Sequence, residues 1–374
     1  MKKETKEYYR SEVKSILKEL FEGLMKEERR EHLDENPNDK GNGFYERELI
    51  TSMGQLEDLE VPRTRKGNFK PTILPDRRKA SFDLQELVFS MHVSGASTRD
   101  ISRFIERVYS AKLGRDAISR LTDVAQEVIE KWKNRPLHEE YHTIFLDATF
   151  VKLRRGDVKS EPVYIAIGVL PNGHRHILGF AIYGSEGESA TAWGEFLKRL
   201  RTRGVSKVTL FVTDDLSGMN NAIQSHFPGS DHQLCVVHQM RNSLLNVRHA
   251  DKSSVSAALK TIYQSDNLAV ARENFEKVKK EWIKKYPKVI QSWESNLNHL
   301  LTFMNFPVAI RKHIYTTNQL ERLNKEVKRR VKVIEVFSSE KSLEKMIYFI
   351  LTEENDKMSE RRMANFRLEV GKHN

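Results

Sequence analysis

The spacing of apolar positions divides the chain into stretches of helical period, stretches of strand character, and connectors. Residues 1 to about 35 read as one charged amphipathic helix, with Val13, Ile16, Leu17, Leu20, Phe21 and Leu24 at helical spacing, ended by Asn36-Pro37-Asn38-Asp39-Lys40-Gly41. A strand-like stretch follows from Gly43 to Leu59. After it comes a loop with Pro62, Gly67, Pro71 and Pro75 that also carries Arg63, Arg65, Lys66, Lys70, Arg77, Arg78 and Lys79, a basic hinge. From Phe82 the period is helical three times, over 82–93, 98–109 and 116–133, with Gly95, Gly114 and Pro136 as stops and Ser97 with Asp100 as a capping-box-like start.

The pattern then changes. Tyr141–Leu153, Val163–Leu170, Ile177–Tyr183 and Val208–Thr213 are β-branched or aromatic runs bounded by Gly, Pro and Asn, which predicts strands. Helical stretches at 191–201 and 219–226 alternate with the later runs, as in an α/β layer. Residues 239–310 are charged and helical throughout and read as an all-α insertion; helices from Asn318 to about Val333 and from Ser342 to about Glu353 close the chain. The expected segments are 1–80 (helix plus a small strand-rich basic part), 81–138 (helix-turn-helix-like), 139–238 (first part of the α/β domain), 239–312 (helical insertion) and 313–374 (its C-terminal part).

Composition narrows the function classes. The longest apolar run falls far short of the roughly 20 residues of a bilayer-spanning helix, and the charged start Met1-Lys2-Lys3-Glu4 has no apolar secretory core, so a cytosolic protein is expected. With Cys235 as the single cysteine, no intrachain disulfide can form. Lys and Arg number 63 against 52 Asp and Glu, a net charge of +11 that pulls toward polyanions without proving such a partner.

Asp147 sits inside the apolar run Tyr141–Leu153. A bare carboxylate in a central strand costs several kcal/mol unless something positive offsets it, such as a divalent cation or a base like Lys152 or Arg154. Asp214 and Asp215 end the run Val208–Thr213, where ligand sites of α/β sheets lie, although Asp before Gly is also ordinary turn chemistry. Strand alternation lets one of the two share a site with Asp147. Glu321 heads a basic helix face with Lys325, Lys328 and Lys332, either as a site acid or as the i,i+4 partner of Lys325. Together, such carboxylates suit hard cations that clamp the oxygens of a phosphoryl displacement, while the basic ridge holds a polyanion. His232, Cys235 and His238, with His226 and His249 nearby, raise a zinc site. No second cysteine exists to complete a usual structural set, so Cys235 and His238 read better as packing beside the acids.

Six segments in order carry a family resemblance: Gly43-Phe44-Tyr45-Glu46-Arg47 with Val61-Pro62-Arg63 and Gly67-Asn68-Phe69-Lys70-Pro71; Ser97-Thr98-Arg99-Asp100-Ile101; Ile118-Ser119-Arg120; Leu146-Asp147-Ala148; Cys235-Val236-Val237-His238; and, most specific, Thr317 to Glu326. Over nearly its whole length the chain resembles the Mutator-like transposases of bacterial insertion sequences. The resemblance implies a ribonuclease H-like catalytic domain, an α/β mixed sheet flanked by helices, interrupted by an all-α insertion and preceded by a mainly helical DNA-binding region. It implies an Asp, Asp, Glu triad that falls on Asp147, Asp214 and Glu321, with Asp215 a departure from the usual pattern, and it places the family's Cys-x-x-His element on Cys235 and His238 as support.

The expected activity is Mg²⁺-dependent cleavage and strand transfer of DNA, with Mn²⁺ able to substitute. The expected partners are the terminal inverted repeats and target DNA, bound by a dimer or larger assembly in the bacterial cytoplasm and nucleoid. Candidate DNA contacts are Arg115, Ser119 and Arg120 at the start of the third helix of the helix-turn-helix, and Arg322, Lys325, Lys328, Arg329 and Arg330 beyond the Glu. A silent transposase-derived DNA-binding regulator and a structure-selective nuclease are the alternatives.

Overall fold

The computed structural model describes residues 3–51, 54–75, several positions between 84 and 96, 98–109, 128–184, 187–337, 339–363 and 366. The chain forms two compact units, residues 1–128 and 129–374. In the first, helix α1 (Lys3–Glu35) is followed by strands β1 (Gly41–Thr51) and β2 (Gly54–Thr64), paired antiparallel. The single strand-like stretch read from sequence is thus a pair of strands. Pro62 and Arg63 belong to β2 instead of the loop, and Pro62 lies opposite Phe44. Of the stripe read from sequence, Leu17 and Phe21 pack, together with Met25, against Leu49, Leu56, Leu59, Val61 and Leu74, whereas Ile16, Leu20 and Leu24 are exposed, because the strand pair covers only the Leu17–Phe21–Met25 edge of the helix. Helix α2 (Thr98–Tyr109) buries Ile101 and Ile105 against Ile50, Leu84 and Val88. Residues 110–127 lie outside the described residues, and with them Arg115, Ser119 and Arg120; so does Ser97.

The second unit is a mixed α/β layer around a five-stranded mixed sheet. Strands β3 (Glu140–Arg155), β4 (Asp157–Val169) and β5 (Arg175–Ile182) form an antiparallel meander. Helix α3 (Ala190–Thr202) crosses to β6 (Lys207–Thr213), and α4 (Met219–His226) to β7 (Asp231–Leu234); these two strands add in parallel on the other side of β3. The sheet order is β5-β4-β3-β6-β7. Strand alternation gives each face its own layer. Ile144 and Leu146 of β3 pack with Trp193, Phe196, Leu197 and Leu200 of α3 and Ile223 of α4, while Phe145 and Asp147 point the other way. Packing is close enough that a Cβ on Gly168 of β4 would lie 2.5 Å from the Tyr141 ring.

Residues 236–314 are helical apart from short connectors: α5 (Val236–Leu245), α6 (Lys252–Tyr263), α7 (Leu268–Trp282), α8 (Pro287–Leu300) and α9 (Val308–Ile314). Two buried polar contacts dock α8: Trp293 Nε1 donates to Ser243 Oγ of α5 at 2.8 Å, and Gln233 Nε2 of β7 donates to the Leu300 carbonyl at 2.9 Å. Helices α10 (Asn318–Val331) and α11 (Glu340–Ser359) return to the sheet, α10 over β3 and α11 over β5.

Candidate active site

Asp147 and Asp214 meet because of strand register. In the parallel pair β3/β6, Phe145 lies opposite Val212, so two residues further along each strand Asp147 and Asp214 come to the same level on the same face. Beyond β6 the chain turns sharply. The Leu216 N–H donates to the Asp214 carbonyl at 3.0 Å, and Gly218, at φ 83, reaches a left-handed conformation that a side chain would strain, just before α4 starts. Asp215 points elsewhere and accepts from Asn296 Nδ2 of α8 at 2.6 Å.

Glu321 arrives from the first turn of α10. Its helix is held in place by Cys235: the backbone N–H and the hydroxyl of Thr317, the residue before α10, lie 3.3 and 3.2 Å from Cys235 Sγ. Cys235 is itself tied to β6, its N–H donating to the Thr213 carbonyl at 2.8 Å, and Val236 N–H donates to the Tyr315 carbonyl at 3.0 Å. The buried Cys235, through its backbone and its thiol together, thus joins the end of β6, the start of α5 and the start of α10.

One turn into α5, His238 lies between the acids. Its Nδ1 contacts Asp214 and its Nε2 lies 3.5 Å from Glu321 Oε1. Arg241, a turn later, donates to the same Glu321 oxygen at 2.8 Å. Asn324, one turn beyond Glu321, donates from Nδ2 to Asp147 Oδ2 at 2.7 Å. Neither base suggested by sequence, Lys152 or Arg154, is the partner of Asp147, and Glu321 pairs off its own helix with His238 and Arg241.

Electrostatics match this convergence. Burial, reinforced by the charges of Asp214 and Glu188 against a smaller opposing pull from His238, pushes the Asp147 carboxyl up to about 7. Burial alone would lower the His238 imidazole; its hydrogen bonds to Asp214 and Cys235 override that and hold it at about 10. His238 thus bridges the two carboxylates from β6 and α10. Asp214, Cys235 and His238 also present one ligand atom each within 4.8 Å of one another, a cluster able to take a divalent cation.

A family profile described as "Transposase, Mutator family" matches residues 2–361. The chain belongs to the Mutator family of transposases. It is similar to the transposase for insertion sequence element IS905 of Lactococcus lactis, with 34% identity over 364 residues, 96% of this chain and 92% of that protein. It is also similar to the transposase for IS1201 of Lactobacillus helveticus, with 34% identity covering 83% of this chain and 84% of that protein. The transposase for IS256 in transposon Tn4001 of Staphylococcus aureus shares 32% identity over 94% of this chain and 93% of its own length.

Three residues at the centre of this Mutator-family chain's acidic cluster escape a reading of the sequence. Asn324 sits three residues after Glu321 on the same helix, so helical spacing gives a usable signal for it. Arg241 follows His238 by the same interval. Glu188 precedes α3 in a loop with no pattern to mark it; it accepts from Trp193 Nε1 at 2.7 Å, and burial followed by the charge of Asp214 raises its carboxyl. His232 stays apart from the cluster, with its Nε2 2.8 Å from Thr213 Oγ1 and its ring beside His299. The cations after Glu321 divide as well. Arg322, Lys325 and Lys328 are exposed, whereas Arg329 and Arg330 bind Glu326, and Arg330 also binds Glu353. No helix of the described residues is long and apolar enough to cross a membrane.

Proposed function

We propose that this chain cuts and rejoins DNA as a DDE-type transposase, with Asp147, Asp214 and Glu321 as its catalytic acids. The observation that carries the proposal is that His238 contacts Asp214 and lies 3.5 Å from Glu321 Oε1, while Asn324, one turn beyond Glu321, donates to Asp147. The sheet order, an antiparallel meander extended by two parallel strands with helices on both faces, supports a ribonuclease H-like layer with residues 239–312 as its insertion.

The donor set fits Mg²⁺, or Mn²⁺ in its place. Three carboxylates supply the oxygens that hard cations take, and the N/S/O set of Asp214, His238 and Cys235 suits zinc less well, because its thiol already accepts two hydrogen bonds from Thr317. When bound, such ions activate a water for phosphodiester hydrolysis and stabilise the charge that builds on the leaving oxygen. The protein's own part is positional. Register and Cys235 fix where the acids stand, Asn324 fixes the rotation of the Asp147 carboxylate, and His238 with Arg241 offsets acid–acid repulsion at Asp214 and Glu321. We further propose that the first unit, with the exposed cations of α10, binds the element's terminal repeats, that two ends are brought together by a dimer or larger assembly, and that the protein acts on the nucleoid in the bacterial cytoplasm.

The test is incubation of labelled element ends with Mg²⁺ or Mn²⁺. Nicked ends bearing a 3′-hydroxyl, followed by joined products, are expected. Chelation, Asp147→Asn or Asp214→Asn is expected to lower nicking by more than about 10³-fold while end binding persists. Binding without any cleavage by the unaltered protein would place it with the silent regulators, and cleavage of unrelated branched DNA alone with the nucleases.

A further inference from the structure

On the sheet's other edge, away from the acids, the β4–β5 turn, the start of α10 and the segment after α11 are stitched together. His174 Nδ1 lies 3.1 Å from the Ser359 carbonyl, and Arg362 Nε donates to His174 Nε2 at 2.6 Å. Met363 N–H donates to the Gly173 carbonyl at 2.9 Å. Gly173 is at φ +86, and a Cβ there would lie 2.8 Å from the Met363 carbonyl, so the turn lies tightly against the segment after α11. Arg175, the first residue of β5, donates from Nη1 to Gln319 Oε1 of α10 at 2.6 Å, while its Nε is buried without a partner.

This framework gathers positive charge. Burial and then the charges of Arg322 and Arg361 lower the Arg175 guanidinium, and His313, which feels Lys312 and Arg175, has a buried Nε2 without a partner. Among the described residues no carboxylate forms an ion pair with Arg175, Arg322 or Arg361. The N-terminal end of α10 adds its own partial positive charge. Holding like charges together without a counterion is unfavourable unless an anion visits, and planar guanidinium groups match a phosphate's paired oxygens.

We propose that Arg175, Arg322 and Arg361 form a second anion site that grips a backbone phosphate of the DNA held at the acids. The inference rests on the reading of the protein as a DNA transposase. Glu321 and Arg322 are successive residues of α10, so their side chains leave the helix about 100° apart. One strand of DNA crossing the start of this helix would meet the acids on one side and this site on the next.

The experiment uses the full-length protein and a random-sequence duplex, with the dissociation constant measured between 50 and 200 mM salt. Arg322 and Arg361 are both exposed, so the double variant R322Q/R361Q is expected to keep the wild-type melting temperature. Its slope of log K against log salt should become shallower by about 1.8, and affinity near 100 mM salt should fall roughly 10- to 100-fold. Arg175→Lys should retain most of the slope and Arg175→Gln should lose about one unit of it. An unchanged slope and affinity in R322Q/R361Q overturns the site, whatever happens to Arg175. Nicking by Asp147→Asn reports on the acids alone and the salt slope on this site alone, so failure of either leaves the other readable.

Discussion

The two ends of α10 are equally rich in charge and use it in opposite ways. At the C-terminal end the chain matches its ions internally: Arg329 and Arg330 close on Glu326, Arg330 and Lys357 on Glu353 of α11, and both carboxyls are held at about 2 by these hydrogen bonds. At the N-terminal end the charges face outward from the helix. Glu321 joins a cluster with more acids than bases, and Arg322 joins a cluster of cations with no acid paired to it among the described residues. A run such as Glu-Arg-Leu-Asn-Lys-Glu-Val-Lys-Arg-Arg looks uniform as a string, yet one end is finished by folding and the other is left for ligands.

The sharpest test of that contrast substitutes one glutamate at each end. Glu321→Gln is expected to reduce nicking of end fragments by more than about 10³-fold with little change in melting temperature, since the carboxylate serves chemistry more than packing. Glu326→Gln should leave the nicking rate within a factor of about two. Equal losses would mean that the ends of the helix do not differ in role.

The next largest effect concerns charge that is buried and fully matched. Lys133 donates to Glu344 Oε1 of α11 at 2.7 Å, and both side chains are about nine-tenths buried. Lys133→Met is expected to destabilise the fold by about 3 kcal/mol, read from denaturant unfolding, because it breaks a buried ion pair by removing one member. Adding Glu344→Leu should restore much of the loss, since two apolar groups in place of a buried pair are often nearly neutral. If the single variant costs nothing, matched internal charge is not what holds this face together.

The same distinction explains what could be read from the sequence. Strands β3 to β6 and helices α3 and α4 were visible because period and β-branched content survive in any context. The strand β7, Asp-His-Gln-Leu, was not: it is four residues long, lacks β-branched residues and owes its extended form to pairing with β6. Asp147 stood out as a carboxylate in an apolar strand, whereas choosing Asp214 over Asp215 from the residues needs the pairing of β3 with β6, which the sequence does not carry. The roles of Cys235 as a brace, of His238 as a bridge and of Arg175 as a half-buried cation against α10 depend on contacts across 80 or more residues, such as Cys235 to Thr317 and Arg175 to Gln319. No local pattern encodes those. Conversely, Arg329 and Arg330 read as DNA contacts in the sequence because a charge run does not disclose which of its members are already paired.

The smallest predicted effect turns on that last point. Arg329 is exposed, but two of its nitrogens donate to Glu326, at 2.9 and 2.6 Å. Drawing it onto a phosphate would mean giving up a bidentate carboxylate, so the net gain from DNA is small. Arg329→Gln is therefore expected to change duplex affinity by less than about twofold and leave the salt slope unaltered. Glu326→Gln should act in the opposite direction from a usual surface variant: it frees Arg329 while Arg330 keeps Glu353. Non-specific duplex binding should tighten several-fold and the slope steepen by up to about 0.9, at a stability cost of about 1 kcal/mol or less. A loss of affinity in Glu326→Gln, or a large loss in Arg329→Gln, would show that the paired end of α10 meets DNA after all and that the two ends share one interface.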